Sequence, residues 1–387
     1  MTVLDDILSS KLAEREAKSQ LRQRLSLQSS QANQVVVEGQ KYLNFSSNDY
    51  LGLANNSETI AAVKKQLDKS GFGSGASHLV TGHHEIHDKL ERAVADYLQR
   101  DSAITFSTGY MANLSILQSL AQKGDLIVAD KLNHASLIDG VKLSDAQSTR
   151  YPHCNLSILE ARLKKSASNK WVVTDSVFSM DGDIAPLDEI AGLCSKYQAN
   201  LIVDDAHGFG VLGETGRGCI EHFSLSQSDL PVLMGTLGKA LGGFGAFVSG
   251  SQKLTSYLVQ FARPYIYTTA LPAAVAAANY FNLSLIRDNQ SFRTKLLQNI
   301  KYFKQQCAAK RICLLPSQTA IQPLVIGDSK KLMELDQKLK QKNILVGAIR
   351  SPTVPSNSDR LRITVSANHS FEQIDFLVEQ LACPIRV

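Results

Sequence analysis

The chain has 387 residues, enough for one large domain with a satellite or for two domains. Its 44% hydrophobic and 20% charged residues fit a soluble globular protein, and a net charge of +5 spread over scattered Lys and Arg argues against a dedicated nucleic-acid surface while suiting an anionic cofactor or a CoA thioester. Six cysteines without C-x-x-C or zinc-ligand spacing, no apolar run near the roughly 18 residues of a membrane span, and an acidic start without a signal-peptide core leave the cytoplasm as the expected place, with no disulfide, metal or membrane contact.

Leucines at helical spacing predict an N-terminal helix over 8–27, and Val35–Phe45 reads as a hairpin turning at Glu38-Gly39. Apolar strands then alternate with helical patterns. The strands are 103–106, 126–129, 171–174, 200–204, 232–234 and 245–248; the helices include 87–98, 111–122 and 188–197. Alternation of this kind predicts an α/β domain with a mostly parallel central sheet covered on both faces. After Pro272 come long helices (272–287 and 291–309), an apolar stretch 319–326, a helix 329–342 and a strand 360–366, a smaller α+β unit. The expected division is an N-terminal helix and hairpin segment (1–45), a large domain (46–275) and a small C-terminal domain (276–387).

Lys239 stands in Thr236-Leu237-Gly238-Lys239-Ala240-Leu241-Gly242-Gly243. A lysine between glycines has little bulk around it and can form a Schiff base if burial lowers its pKa; the same loop also fits a solvated surface lysine. Asp204-Asp205-Ala206-His207 follows a buried strand. Ligands of open α/β sheets bind beyond the carboxyl ends of strands, so Asp204 is placed to pair with a pyridinium nitrogen and His207 with a phenolic oxygen. The order acid, histidine, lysine points to pyridoxal 5'-phosphate (PLP). Ser107-Thr108-Gly109-Tyr110 opens a helix after a strand, which suits a phosphate as well as an ordinary N-cap, and the Thr236 hydroxyl can join it. His134 could stack on a flat ring or be a structural histidine. Arg350 and Arg362 flank Ser351-Pro352-Thr353-Val354-Pro355, and a guanidinium grips a carboxylate with two bonds. Arg360 and Arg362 share a strand face, so at most one of them is the clamp, and surface ion pairing is expected for Arg360.

Asn44–Leu53, His134-Ala135-Ser136, Val177–Asp183, Asp204–Gly208, the Lys239 loop, Ile266–Thr269 and Ile349–Pro355 together resemble the α-oxoamine synthases, PLP enzymes of fold type I with an aspartate-aminotransferase-like fold. The resemblance runs nearly end to end. It implies Lys239 as the Schiff-base lysine, Asp204 on the pyridine nitrogen, His207 on the phenolic oxygen and His134 on the ring. It implies Gly109, Tyr110 and Thr236 at the phosphate, Ser179 lining the cofactor, and Thr268 or Thr269 reaching the phosphate of a dimer partner. Arg362 matches the grip on the amino-acid carboxylate, and Arg22 and Thr353, with Asn48 and Arg350, match substrate contacts. The second acid, Asp205, stands where many relatives have Glu, which leans toward the biotin branch. There the reaction is a decarboxylative condensation of L-alanine with a pimeloyl thioester on CoA or acyl carrier protein, in a homodimer with a shared site. Sister enzymes taking glycine with acetyl- or succinyl-CoA, or serine with a long acyl-CoA, are the alternatives. A catalytically silent PLP-fold binding subunit is the alternative from another class.

Overall fold

The computed structural model describes residues 2–17 and 20–382, so Cys383 lies outside the described residues. Twelve strands form two sheets among them: β1 (Gln34–Val37), β2 (Gln40–Phe45), β3 (Ser102–Phe106), β4 (Leu126–Asp130), β5 (Gln147–Tyr151), β6 (Lys170–Asp175), β7 (Ala199–Asp204), β8 (Val232–Thr236), β9 (Ala246–Gly250), β10 (Ile321–Gly327), β11 (Ile344–Ile349) and β12 (Asp359–Thr364). The large sheet has the order β3-β9-β8-β7-β6-β4-β5, with β9 antiparallel to both its neighbours and the pairs from β8 to β5 parallel. Its inner strands are unbroken apolar runs because helices cover both faces: Leu201, Ile202 and Val203 are fully buried. Alternate residues of one strand therefore enter different apolar clusters, Leu201 and Val203 one and Ile202 the other. Polar β5, Gln-Ser-Thr-Arg-Tyr, carries no apolar signal because it is the edge strand.

The second sheet has the order β1-β2-β11-β12-β10. Glu38 (φ 50) and Gly39 (φ 76) make the turn predicted between β1 and β2, and this N-terminal hairpin joins the C-terminal sheet through the parallel pair β2–β11. The helix expected over 8–27 is instead Val3–Ala17, and it buries no residue. Residues 20–26 are not helical; Leu21, Leu25 and Leu27 line a groove instead, and Leu27 bridges to Val37. Helical spacing misled there because the leucines meet different surroundings. Arg360 also departs from expectation. It is 5% exposed and ion-pairs with Asp181, because β12 lies between β11 and β10 rather than at an edge.

Candidate active site

The strand ends of the large sheet converge. Pairing of β6 with β7 sets Asp175 beside Asp204, both buried. Phe106 and Thr236 both pair with Ala246, so the turn after β3 and the end of β8 flank the same strand. The loop between β8 and β9 carries Lys239. It is folded by Gly242 N–H to the Lys239 carbonyl (2.8 Å) and Gly243 N–H to the Leu237 carbonyl (2.9 Å). Gly242 has φ 65 and a Cβ there would come within 2.4 Å of the Ala54 nitrogen; at Gly243 a Cβ would strike the Asn279 side chain. From the helix Ala273–Asp288, buried Asn279 and Asn282 donate to the Phe244 and Leu241 carbonyls at 2.8 and 2.7 Å.

Lys239 Nζ lies 2.9 Å from His207 Nε2, and His207 Nδ1 lies 2.5 Å from the Tyr50 hydroxyl. Burial brings the Lys239 amine down to about 8, against the pull of Asp204 and Asp175, and burial and then the charges of Lys239 and Arg362 hold His207 well below the usual histidine value. Asp204 accepts from Asn113 Nδ2 (2.8 Å) and the Ala206 N–H (2.9 Å). The same Asn113 amide donates to Ser136, whose hydroxyl meets His134 Nδ1 at 2.7 Å. Asp175 accepts the His134 backbone N–H at 2.8 Å, and burial followed by repulsion from Asp204 raises its pKa far above the carboxylate range. Lys239, His207, Asp204 and His134 thus belong to one electrostatic cluster. Asp205 plays a separate part. It accepts from Ser176 Oγ (2.5 Å) and the Cys219 N–H (2.9 Å), tying down the segment after β7.

Gly109 and Tyr110 open the helix Gly109–Leu120; Thr108 caps it by accepting the Met111 N–H at 3.1 Å. Thr108 meets the cap reading of this turn; the first N–H groups of a helix have no partner within it, so they stay available to an anion. The Tyr110 hydroxyl donates to Asp139. Thr236 donates to the Gly245 carbonyl at 2.9 Å. Thr268 and Thr269 follow the helix Arg263–Ile266, in a segment tied at Ala270 to Ala76 and Ser74 rather than to the Lys239 loop.

Arg362, 8% exposed, donates from Nε to the Ser179 carbonyl (2.5 Å), from Nη2 to Asn48 Oδ1 (3.1 Å) and from Nη1 to Thr364 (3.1 Å). Asn48 also accepts from Tyr50 at 3.3 Å, so the guanidinium is linked to His207 through two side chains. Arg22, Arg350 and Thr353 meet elsewhere, in a groove of about 860 Å3 that Ser46, Ser47, Ile349 and Met333 also line. A second cavity of about 880 Å3, walled by Leu98, Arg100, Leu212 and Glu221, contains none of these residues.

Sequence reading missed Tyr50, Asn113, Ser136 and Asp175. Asp175 had a readable signal, the same apolar strand ending in an acid as Asp204; the others gave none, because each has a partner 23 to 157 positions away that brings it into the cluster. It also did not foresee His78, His83 and His87, whose ring nitrogens approach within 4.8 Å of one another. Both His87 nitrogens are engaged there, by the Leu271 carbonyl (2.6 Å) and the His84 N–H (2.9 Å).

The model of the family aminotransferase class I and II matches residues 40–381. The chain belongs to this family. Within it, the chain is an α-oxoamine synthase. It is 50% identical over 379 residues to 8-amino-7-oxononanoate synthase of Cellvibrio japonicus (strain Ueda107), covering 98% of this chain and 95% of the relative. The same enzyme of Methylococcus capsulatus is 50% identical over 97% of each chain. Among solved structures, Sphingomonas wittichii serine palmitoyltransferase superposes with a TM-score of 0.93 at 31% identity, covering 99% and 98% of the two chains. The Francisella tularensis 8-amino-7-oxononanoate synthase gives 0.78 at 36% identity, covering 89% of this chain and 98% of its own. The fold is that of the fold type I PLP enzymes, and the cofactor is PLP. The residues fit that group: a lysine amine of lowered pKa, a buried acid at a strand end, and a helix N-terminus at Gly109 and Tyr110. Among the described residues no helix is long and apolar enough to cross a membrane.

Proposed function

We propose that the chain is an 8-amino-7-oxononanoate synthase, condensing L-alanine with a pimeloyl thioester and releasing carbon dioxide and free thiol. The observation that carries the reading is the Lys239 amine, 2.9 Å from His207 in a pocket that brings its pKa to about 8, in a chain half identical to enzymes of that name. Bound PLP supplies the electron sink for the pair left at Cα when the proton, and later carbon dioxide, departs. Lys239 holds the cofactor aldehyde and, once freed, removes the Cα proton; an amine with a pKa near 8 is available as a base at neutral pH where an ordinary lysine is not. Asp204, fixed by Asn113 and the Ala206 N–H, holds the ring nitrogen, and His134, anchored through Ser136, covers the ring. His207 faces the phenolic oxygen. Gly109, Tyr110 and Thr236 hold the phosphate, and Ser179 lines the site.

Arg362 takes the alanine carboxylate, with Asn48 beside it; its rigid fork is already pinned by three acceptors. The acyl chain and its carrier lie in the groove of Arg22, Arg350 and Thr353, whose cations suit CoA or acyl carrier protein alike. Thr268 and Thr269 reach a partner's phosphate in a homodimer. The division into an N-terminal segment (1–45), a large domain (46–275) and a small domain (276–387) is supported by the two separate sheets, the N-terminal hairpin pairing with the C-terminal one. The test is thiol release with alanine, glycine and serine, each against pimeloyl-, acetyl- and succinyl-thioesters. Turnover confined to alanine with the pimeloyl donor supports the reading. Faster release with glycine or serine would replace it with a sister activity, the direction favoured by the serine palmitoyltransferase likeness.

A further inference from the structure

Thr268 and Thr269 stand on a short segment that is anchored at both flanks and open between them. Before them, buried Tyr265 stacks on His78 with ring centroids 5.0 Å apart. After them, the Ala270 N–H donates to the Ala76 carbonyl (3.0 Å) and Ser74 Oγ donates to the Ala270 carbonyl (2.7 Å). The Leu271 carbonyl takes the shortest of these bonds, 2.6 Å from His87 Nε2. A carbonyl oxygen only accepts, so Nε2 carries a proton and donates. His87 Nδ1 meets the His84 N–H at 2.9 Å, at the start of the helix Glu85–Leu98, and the whole residue is buried. One side chain thus ties the first turn of that helix to the segment behind the two threonines. Between the anchors, Tyr267 (72% exposed) and Thr269 stand at the surface of the chain. A segment held at its flanks and exposed between them is ordered before it meets a second chain, so less entropy is lost in that contact.

We propose that His87 is a positioning residue that acts across the dimer: by holding the Leu271 carbonyl it sets Thr268 and Thr269 for the phosphate in the partner subunit's site, not in its own. The inference rests on the shared-site reading above and adds the side chain that maintains it. Without its donor the Leu271 carbonyl would be buried and unpaired, and the segment would shift to recover a partner. The rival account is an effect within one chain. Leu271 also packs beside Gly245, just after the Lys239 loop; a Cβ there would lie 3.6 Å from its methyl groups.

The test measures Kd for PLP of the cofactor-free dimer, read from the visible band of PLP linked to Lys239. An asparagine amide sits near the place of Nδ1 and a glutamine amide near that of Nε2. His87→Asn therefore drops the Leu271 bond and keeps an acceptor for His84, and His87→Gln does the reverse. His87→Asn is expected to raise Kd about tenfold, and His87→Gln to stay within about threefold of wild type. Crossed dimers of differently tagged chains then locate the effect. His87→Asn paired with Lys239→Ala has one linking site, on the chain whose His87 is changed, and Kd there is expected within about twofold of wild type. Wild type paired with the double variant His87→Asn, Lys239→Ala has its linking site on the unchanged chain, and the loss of about tenfold is expected there. The opposite pattern overturns the proposal, as does an unchanged Kd in the His87→Asn homodimer or a full loss in His87→Gln. If His87→Asn gives no dimer, His87→Phe, which keeps a ring and has no donor, takes its place with the same expectation. Failure of both to dimerise also overturns it, since a bond required for folding is no positioning device. Thr268→Val and Thr269→Val in the same crossed dimers keep the two readings apart. A crossed effect from the threonines alone overturns the role of His87 and leaves the shared site standing; a crossed effect from none removes both. No thioester enters the assay, so neither result bears on which donor the enzyme uses.

Discussion

The strand-end cluster around Lys239 and the groove around Arg22 are built from opposite materials. In the first, Asp204, Asp175 and His207 are buried, each is held by a named partner, and the pKa values of Lys239, His207 and Asp175 are displaced by loss of water and by one another. The second is half open. Its cations Arg22 and Arg350 come from an extended N-terminal stretch and from the end of β11, and Arg22 and Thr353 are exposed. Charges in a low-dielectric site act strongly on few atoms, whereas exposed charges are screened and contribute little each. The difference teaches where bond making is set and where partner choice is left adjustable.

Substitutions can sharpen that contrast. The largest effect is expected from Lys239→Ala, which should lower turnover by about 10^3- to 10^4-fold and abolish the visible band of PLP linked to the chain; a persisting pH-dependent band would count heavily against Lys239. Next comes Arg362→Ala. It removes a charge-assisted grip of about 2–3 kcal/mol and should raise KM for alanine roughly 30- to 160-fold in steady-state kinetics. An alanine KM within threefold of wild type would move the carboxylate site elsewhere.

Acetylation of the cofactor-free protein gives a third comparison. The neutral amine is the reactive form, so Lys239 should label half-maximally near pH 8, well below the ordinary lysine value of 10.5. Labelling that tracks the exposed lysines would refute the buried electrostatic cluster. The smallest effects belong to the groove. Arg22→Ala and Arg350→Ala should each raise KM for the acyl thioester by less than about tenfold, less at high salt, and leave KM for alanine alone. A hundredfold loss at either position would show that the groove is as tightly specified as the strand-end site.

Much of the catalytic end was legible in the chain. Apolar runs ending in acid, as at Asp204, and the glycines around Lys239 are local signals, because a buried strand and a tight loop restrict the residues that can make them. Six of the seven strands of the large sheet were read within a few residues from the same kind of apolar run. The N-terminal stretch was not, since leucines at 21, 25 and 27 have helical spacing but line a groove in extended chain. Arg360 and Arg362 were placed on one face by the period of two, yet two arginines gave no local sign that their strand is a central one. β5 and β11 were missed, the former for its polarity and the latter because its register is set by β2, some 300 positions earlier.

The sequence by itself determined the alternation of strands and helices, the strand-end acid, the lysine loop and the family, because each is written in neighbouring residues. Tertiary structure alone decided that the first hairpin completes the last sheet, that Asp175 stands beside Asp204, and that Tyr50 closes a row of hydrogen bonds from Arg362 to Lys239. Such contacts depend on how separate segments pack, and no periodicity or local propensity encodes a partner outside its own element.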